Sequence, residues 1–298
     1  MKYNLMYETI FNKSNKKILK NYKFFPINKV KNPEKIHVIY SFLKKKYDKK
    51  FLAKFSNLKY FVTASTGIDH VDFEYLKKKK IKIIKLETST NEVKKITSSA
   101  ELVLTLILTS IRKVHQYLNL TKLEILKRDY YNFFQFKNYK VGIIGYGRIG
   151  KYLDKKLKNL NFSTIIYDKN KKLFKYSLKK LLGSSDIITT NIPLSDNHEF
   201  FDSKILDLCK KDVKIINISR ANIFNQKDLF NFLKKNPNCE YWTDVFVNEQ
   251  TNSKKVTDKS LRAFLKLNNF YLTPHIGGAA TDAMNLAEKI VFKKINNL

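Results

Sequence analysis

The ten residues Val141-Gly142-Ile143-Ile144-Gly145-Tyr146-Gly147-Arg148-Ile149-Gly150 constrain this chain more than any other stretch. The apolar run 141–144 has the composition of a buried parallel strand. Gly145, Gly147 and Gly150 follow at G-x-G-x-x-G spacing, and a helical pattern then begins with Tyr152, Leu153, Leu157 and Leu160. A second apolar run, 164–167, ends in Asp168. Strand, glycine turn, helix, strand and acid within about 30 residues is the plan of a dinucleotide-binding unit. Gly145 makes the tight turn, Gly147 lets backbone approach a pyrophosphate, and Gly150 lets helix pack on strand. The helix N-terminus offers N–H groups and a positive dipole end to phosphates. Asp168 can accept from the ribose hydroxyls and repel a 2′-phosphate, which predicts NAD as the cofactor.

The chain is poor in glycine, with eight in 298 residues. Four of them (Gly142, Gly145, Gly147, Gly150) fall in this stretch. A hydrophobic share of 43% supports a substantial core, and the length suffices for two domains. Cys209 and Cys239 form neither a metal spacing nor a disulfide framework, and no metal site is expected. No apolar run is long enough for a signal peptide or a membrane span. These features predict a soluble, cytoplasmic protein without a membrane partner.

The formal net charge is +32. Only Arg112, Arg128, Arg148, Arg220 and Arg262 are arginines, so the charge is carried by dispersed lysines. Base readout and phosphate clamps favour arginine, which argues against a nucleic-acid partner. The charge should still draw anionic substrates inward.

Residues 1–35 are polar and lysine-rich, and the sequence assigns them no function. From there strands alternate with helices, which predicts parallel α/β sheets. After the strand 60–64 comes Ser65-Thr66-Gly67-Ile68-Asp69-His70, at a strand C-terminus where open α/β sheets bind ligands. Gly67 is the sole glycine before Gly142. Ser98 or Ser99 is expected to cap a long helix, and the aromatic stretch 119–140 then leads into the glycine unit. A domain boundary is expected near 110–120.

Beyond Asp168, successive strand ends deliver Ile192-Pro193, then Ile218-Ser219-Arg220, then Asp244 with Glu249, then His275 with Gly277 and Gly278. In a doubly wound sheet these ends face one crevice, so Arg220, Asp244, Glu249 and His275 are expected to converge. Arginine binds a carboxylate through its planar fork, histidine moves a hydroxyl proton, and glutamate beside it favours imidazolium. That set suits a proton moved in step with a hydride at a 2-hydroxy or 2-oxo acid.

Four motifs in order carry a family resemblance: 145–150, Asn217-Ile218-Ser219-Arg220-Ala221, 244–249, and Thr273-Pro274-His275-Ile276-Gly277-Gly278. With Ser65-Thr66-Gly67 and Ser98-Ser99-Ala100-Glu101 upstream, the chain resembles the D-isomer-specific 2-hydroxyacid dehydrogenase family over about 60–298. The resemblance implies two doubly wound parallel-sheet α/β domains. A Rossmann cofactor domain (113–280) binds NAD, and a flavodoxin-like substrate domain comprises 1–112 and 281–298. It implies Arg220, Glu249 and His275 as catalytic, with Thr66, Gly67 and Arg220 holding the substrate carboxylate. It implies Gly145, Gly147, Arg148, Ile149, Gly150, Asp168, Ile192, Pro193, Ile218, Ser219, Asp244 and Gly277 as cofactor-binding, with Asp244 orienting the nicotinamide carboxamide. It implies a homodimer acting on a small 2-hydroxy or 2-oxo acid. Ala221, Gln250 and Leu102 depart from the family's usual glycine, proline and histidine, and none removes a reacting group. Formate-type oxidation is disfavoured, because that branch pairs its histidine with glutamine. A catalytically silent dinucleotide sensor is the alternative from another class.

Overall fold

Alternation along the strands decides the architecture. In the computed structural model, which describes residues 3–8, 12–42, 45–117, 133–170, 174, 176–247, 249 and 258–297, two all-parallel sheets form in two compact units. Arg128, Lys171, Lys172, Asn248, Gln250 and the 119–132 part of the aromatic connection lie outside the described residues.

The first unit is Met1–Ile96 with Ala279–Leu298. Its strands are β1 (Tyr3–Tyr7), β2 (Tyr22–Pro26), β3 (Val38–Ser41), β4 (Tyr60–Thr63) and β5 (Lys82–Ile84), in the order β2-β1-β3-β4-β5. Successive side chains point to opposite faces, and both faces are apolar, as a covered parallel sheet requires. Leu5, Val38, Tyr40 and Val62 pack with Ala287, Val291, Phe292 and Ile295 of the last helix, Thr281–Asn296. Met6, Ile39 and Phe61 pack with Tyr47, Leu52 and Leu76. The segment 1–35, to which the sequence assigns nothing, supplies β1 and β2, with β1 inside the sheet. Its lysines and asparagines hide a five-residue strand whose buried members are only Leu5 and Met6.

The second unit is Thr97–Gly278. Its strands are β6 (Lys140–Ile144), β7 (Ser163–Tyr167), β8 (Ile187–Thr190), β9 (Lys214–Asn217), β10 (Glu240–Thr243) and β11 (Phe270–Leu272), in the order β11-β10-β9-β8-β6-β7. The order reverses between β6 and β8, the switch point where such sheets take ligands.

The first boundary falls at 96/97 rather than at 112/113. The helix Ser98–Arg112 buries Val103, Leu106, Ile107 and Ile111 against Val141, Ile143, Leu153, Ile187 and Ile216, so it belongs with the second sheet. Its N-cap is Thr97, not Ser98 or Ser99, and the Thr97 hydroxyl donates to the Glu101 carboxylate at 2.6 Å.

Candidate active site

β6 ends at Gly145, which sits at φ 91°, a conformation that favours glycine. A Cβ on Gly150 would collide with the Gly145 carbonyl oxygen, so the helix Arg148–Asn159 can start this close to β6 only with glycine there. Gly147 differs, because a Cβ there would meet nothing within 4 Å. No contact among the described residues requires this glycine, and the space beside it is open to a ligand. No side chain caps the helix it precedes, and the first turn of that helix carries no acid. An open glycine N-cap with an uncapped, unopposed helix N-terminus fits a pyrophosphate. Arg148 and Ile149 lie in that first turn.

Asp168 follows β7 across the loop. Its carboxylate accepts from the Tyr146 backbone N–H at 2.6 Å and the Asn170 N–H at 3.0 Å. A carboxylate has about four acceptor positions, so two remain for ribose hydroxyls. Ile144, Gly145, Tyr167, Asp168, Lys169, Ile192, Asn197 and Phe200 line a small pocket here. Asn197 donates to the Pro193 carbonyl at 2.7 Å and fixes the loop that carries Ile192.

The ends of β8 to β11 form the other part of the site, and a buried asparagine organises them. Asn217 is fully buried at the end of β9. Its Oδ1 accepts from the Thr190 hydroxyl at 2.9 Å and the Ser219 N–H at 3.0 Å. Its Nδ2 donates to the Tyr241 hydroxyl at 2.9 Å and to the Arg220 carbonyl at 3.1 Å. The Ser219 hydroxyl donates to the Thr190 carbonyl at 2.9 Å. The turn that presents Arg220 is thus tied to three strands. Ile218 is buried beneath it. The sequence marks Asn217 only as part of a motif. An asparagine at a buried strand end, where an apolar residue would cost less, was the available signal.

Asp244 does the same for the histidine. Its carboxylate is 1% exposed and accepts from the Thr273 hydroxyl (2.6 Å), the Ile276 N–H (2.8 Å) and the Gly277 N–H (2.7 Å). These bonds clamp the turn that carries His275. His275 adopts φ 54°, a left-handed conformation uncommon outside glycine, and its N–H donates to the Thr273 carbonyl at 2.9 Å. The clamp holds that strained backbone. One acceptor position on Asp244 is left for a carboxamide, while the Gly277 N–H is already paired.

His275 Nδ1 lies 2.6 Å from Glu249 Oε1, and both side chains are 34% exposed. The Glu249 hydrogen bond raises the His275 pKa above its ordinary 6.5, against the lowering effect of burial. The charges of Glu249 and Asp244 raise it further, and Arg220 opposes them. Arg220, Asp244, Glu249 and His275 are therefore one electrostatic group.

The sequence-predicted substrate loop lies in the first unit. The Thr63 and Ser65 hydroxyls are 3.0 Å apart, and Ser65 donates to the Gly67 carbonyl at 2.7 Å. Thr66 is exposed, and His70 is buried with its carbonyl accepting from the Tyr47 N–H at 2.7 Å. Among the described residues no cluster of His, Cys, Asp or Glu is placed to hold a metal, and no helix is long and apolar enough to cross a membrane.

A glycine loop at the switch point of a six-stranded parallel sheet, with an acid after the second strand, defines a dinucleotide-binding α/β protein. More narrowly, the chain belongs to the D-isomer specific 2-hydroxyacid dehydrogenase family: residues 104–277 match the model of that family's NAD binding domain, and NAD is its cofactor. Erythronate-4-phosphate dehydrogenase of Wigglesworthia glossinidia brevipalpis is 30% identical over 256 residues, a match covering 83% of this chain and 59% of that protein. Glyoxylate reductase of Pyrococcus horikoshii is 25% identical over 283 residues, covering 89% and 80%. In fold, the chain is similar to D-lactate dehydrogenase from Aquifex aeolicus, solved with NAD and lactic acid. The TM-score is 0.82 at 23% identity, over 98% of this chain and 94% of that one.

Proposed function

We propose that the protein is an oxidoreductase that transfers a hydride between NAD(H) and a small 2-hydroxy or 2-oxo acid of D configuration. The 2.6 Å contact between His275 and Glu249, on the same set of strand ends as Arg220, carries this reading. Bound NAD(H) supplies the hydride acceptor or donor. Arg220 binds the substrate carboxylate and polarises the C2 oxygen through its planar guanidinium. With Nδ1 held by Glu249, His275 uses Nε2 to protonate the C2 oxygen during reduction and to deprotonate it during oxidation. Glu249 keeps the ring oriented and stabilises imidazolium. The family resemblance supports the backbones of Thr66 and Gly67 as donors to a substrate carboxylate, and the first unit as the substrate domain. Arg148 and Ile149 meet the pyrophosphate, and Asp168 takes the ribose hydroxyls. The family resemblance supports a homodimer, and two buried free cysteines suit the reducing cytoplasm.

The test is NADH oxidation by the purified protein with a panel of small 2-oxo acids, followed by chiral analysis of the product. Turnover to a D-2-hydroxy acid is expected. NADH binding without turnover of any panel member would instead make the protein a dinucleotide sensor.

A further inference from the structure

The buried network beneath the glycine loop does more than fill space. Asp154, on the helix Arg148–Asn159, is 3% exposed. Its Oδ2 accepts from the Tyr146 hydroxyl at 2.8 Å and from Lys158 Nζ at 2.9 Å, and its Oδ1 accepts from the Thr164 hydroxyl at 2.7 Å. Burial alone would raise the Asp154 pKa, but the bonds from Lys158, Thr164 and Tyr146 outweigh it and leave the carboxyl lowered and ionised. Burial and then the Asp154 bond push the Tyr146 hydroxyl up to about 12, so it remains a donor. Phe174 stacks edge-on against the Tyr146 ring, with centroids 5.1 Å apart.

Tyr146 is also the residue whose backbone N–H holds Asp168. Thr164 lies on β7, the strand that ends just before Asp168. The contacts therefore close a ring: Asp168 to the Tyr146 backbone, Tyr146 hydroxyl to Asp154, Asp154 to Thr164, and β7 back to Asp168. The ring fixes the separation between the tip of the glycine loop and the end of β7. On the proposed function, the ribose and the pyrophosphate are held at these two points. Apolar side chains at 146, 154 and 164 could pack here without imposing this constraint.

We propose that Tyr146, Asp154 and Thr164 are positioning residues for the adenosine end of the cofactor, setting NADH affinity and the preference for NADH over NADPH. The proposal rests on Asp168 as the ribose ligand. A side chain fixed by charge-assisted hydrogen bonds orients its neighbours more narrowly than packing does. The ring therefore keeps the Asp168 carboxylate turned towards the ribose hydroxyls.

The test measures NADH and NADPH dissociation constants by fluorescence titration for wild type, Tyr146→Phe, Thr164→Val and Asp168→Ala, together with steady-state kinetics. Loss of one hydrogen bond to the ionised Asp154 should weaken NADH binding roughly five- to tenfold in Tyr146→Phe. NADPH binding should change less, so the preference narrows, while kcat at saturating NADH and KM for the 2-oxo acid hold. The double variant Tyr146→Phe/Thr164→Val should lose less than the product of the single losses, since the two bonds serve one carboxylate. If Asp168→Ala weakens NADH binding while Tyr146→Phe and Thr164→Val only lower the melting temperature, the ring is merely structural and the proposal falls. If Asp168→Ala itself leaves NADH binding unchanged, the ribose assignment fails and the proposal fails with it, for a distinguishable reason.

Discussion

In both sheets the first strand lies one place in from an edge, and the chain then steps across it: β2-β1-β3-β4-β5 and β7-β6-β8-β9-β10-β11. Both are all parallel, and both are covered on two faces. The loops at the strand ends differ. In the first unit the end of β4 is closed by two short-range hydroxyl contacts, Thr63 with Ser65 and Ser65 with the Gly67 carbonyl. That leaves Thr66 exposed and the loop backbone free of a bulky side chain at Gly67. In the second unit the strand ends are tied to one another by buried side chains: Thr190 to Asn217, Asn217 to Tyr241, Thr273 to Asp244. Topology leaves the chemistry open. A loop that offers backbone donors needs only local closure. A set of charged side chains that must share one reacting centre needs a cross-strand framework, because an error of about 1 Å in their placement costs on the order of 100-fold in rate.

If that contrast is sound, side-chain changes in the second unit cost rate, and those in the first cost little. The largest effect is expected at His275. His275→Ala should lower kcat by about 100- to 10,000-fold at every pH while NADH binding persists. Retained turnover would move the acid–base role elsewhere and dissolve the contrast. Next is Arg220→Lys, which keeps the charge and loses the fork. A loss of roughly 10- to 100-fold in kcat/KM for the 2-oxo acid is expected, with the NADH dissociation constant unchanged. Near-wild-type kcat/KM would mean that Arg220 is not the anchor.

The third effect is a shift rather than a loss. Reduction needs imidazolium, and the His275 pKa lies above its ordinary 6.5. On the proposed mechanism, reduction should therefore be full below the raised pKa and fall as pH rises through it, and oxidation should show the opposite limb. Glu249→Gln removes the charge and should move the reduction limb to lower pH. Superimposable kcat/KM profiles for wild type and Glu249→Gln would break the acid–base pair. The smallest effect is expected in the first unit. Thr66→Val keeps the backbone N–H, so KM for the 2-oxo acid should change by less than about threefold. A tenfold rise would show that the Thr66 side chain, not its backbone, meets the substrate.

Legibility followed the range of the physics. The β6–glycine–helix–β7 unit is readable directly because its signals are local: an apolar run, a glycine spacing and an acid. Arg220, Asp244, Glu249 and His275 are readable as strand-end residues because a parallel sheet brings successive strand ends to one edge. β1 is not readable, because a short strand with two buried residues is outweighed by the lysines around it. The helix Ser98–Arg112 lies in the other unit from the one its sequence suggests, because an amphipathic pattern says that one face is buried but not against what.

The sequence alone determined the two parallel sheets, the NAD-binding unit, the family and the set of titratable groups at the strand ends. Periodicity and motif spacing are properties of neighbouring residues, and they survive without knowledge of the fold. Only the tertiary structure decided that Asn217 ties three strands, that Asp244 clamps the turn of His275, and that Tyr146, Asp154 and Thr164 close a ring behind Asp168. Each of these depends on buried polar atoms from distant segments meeting within hydrogen-bond distance. Such groups must find partners once removed from water, but the choice of partner is made by packing.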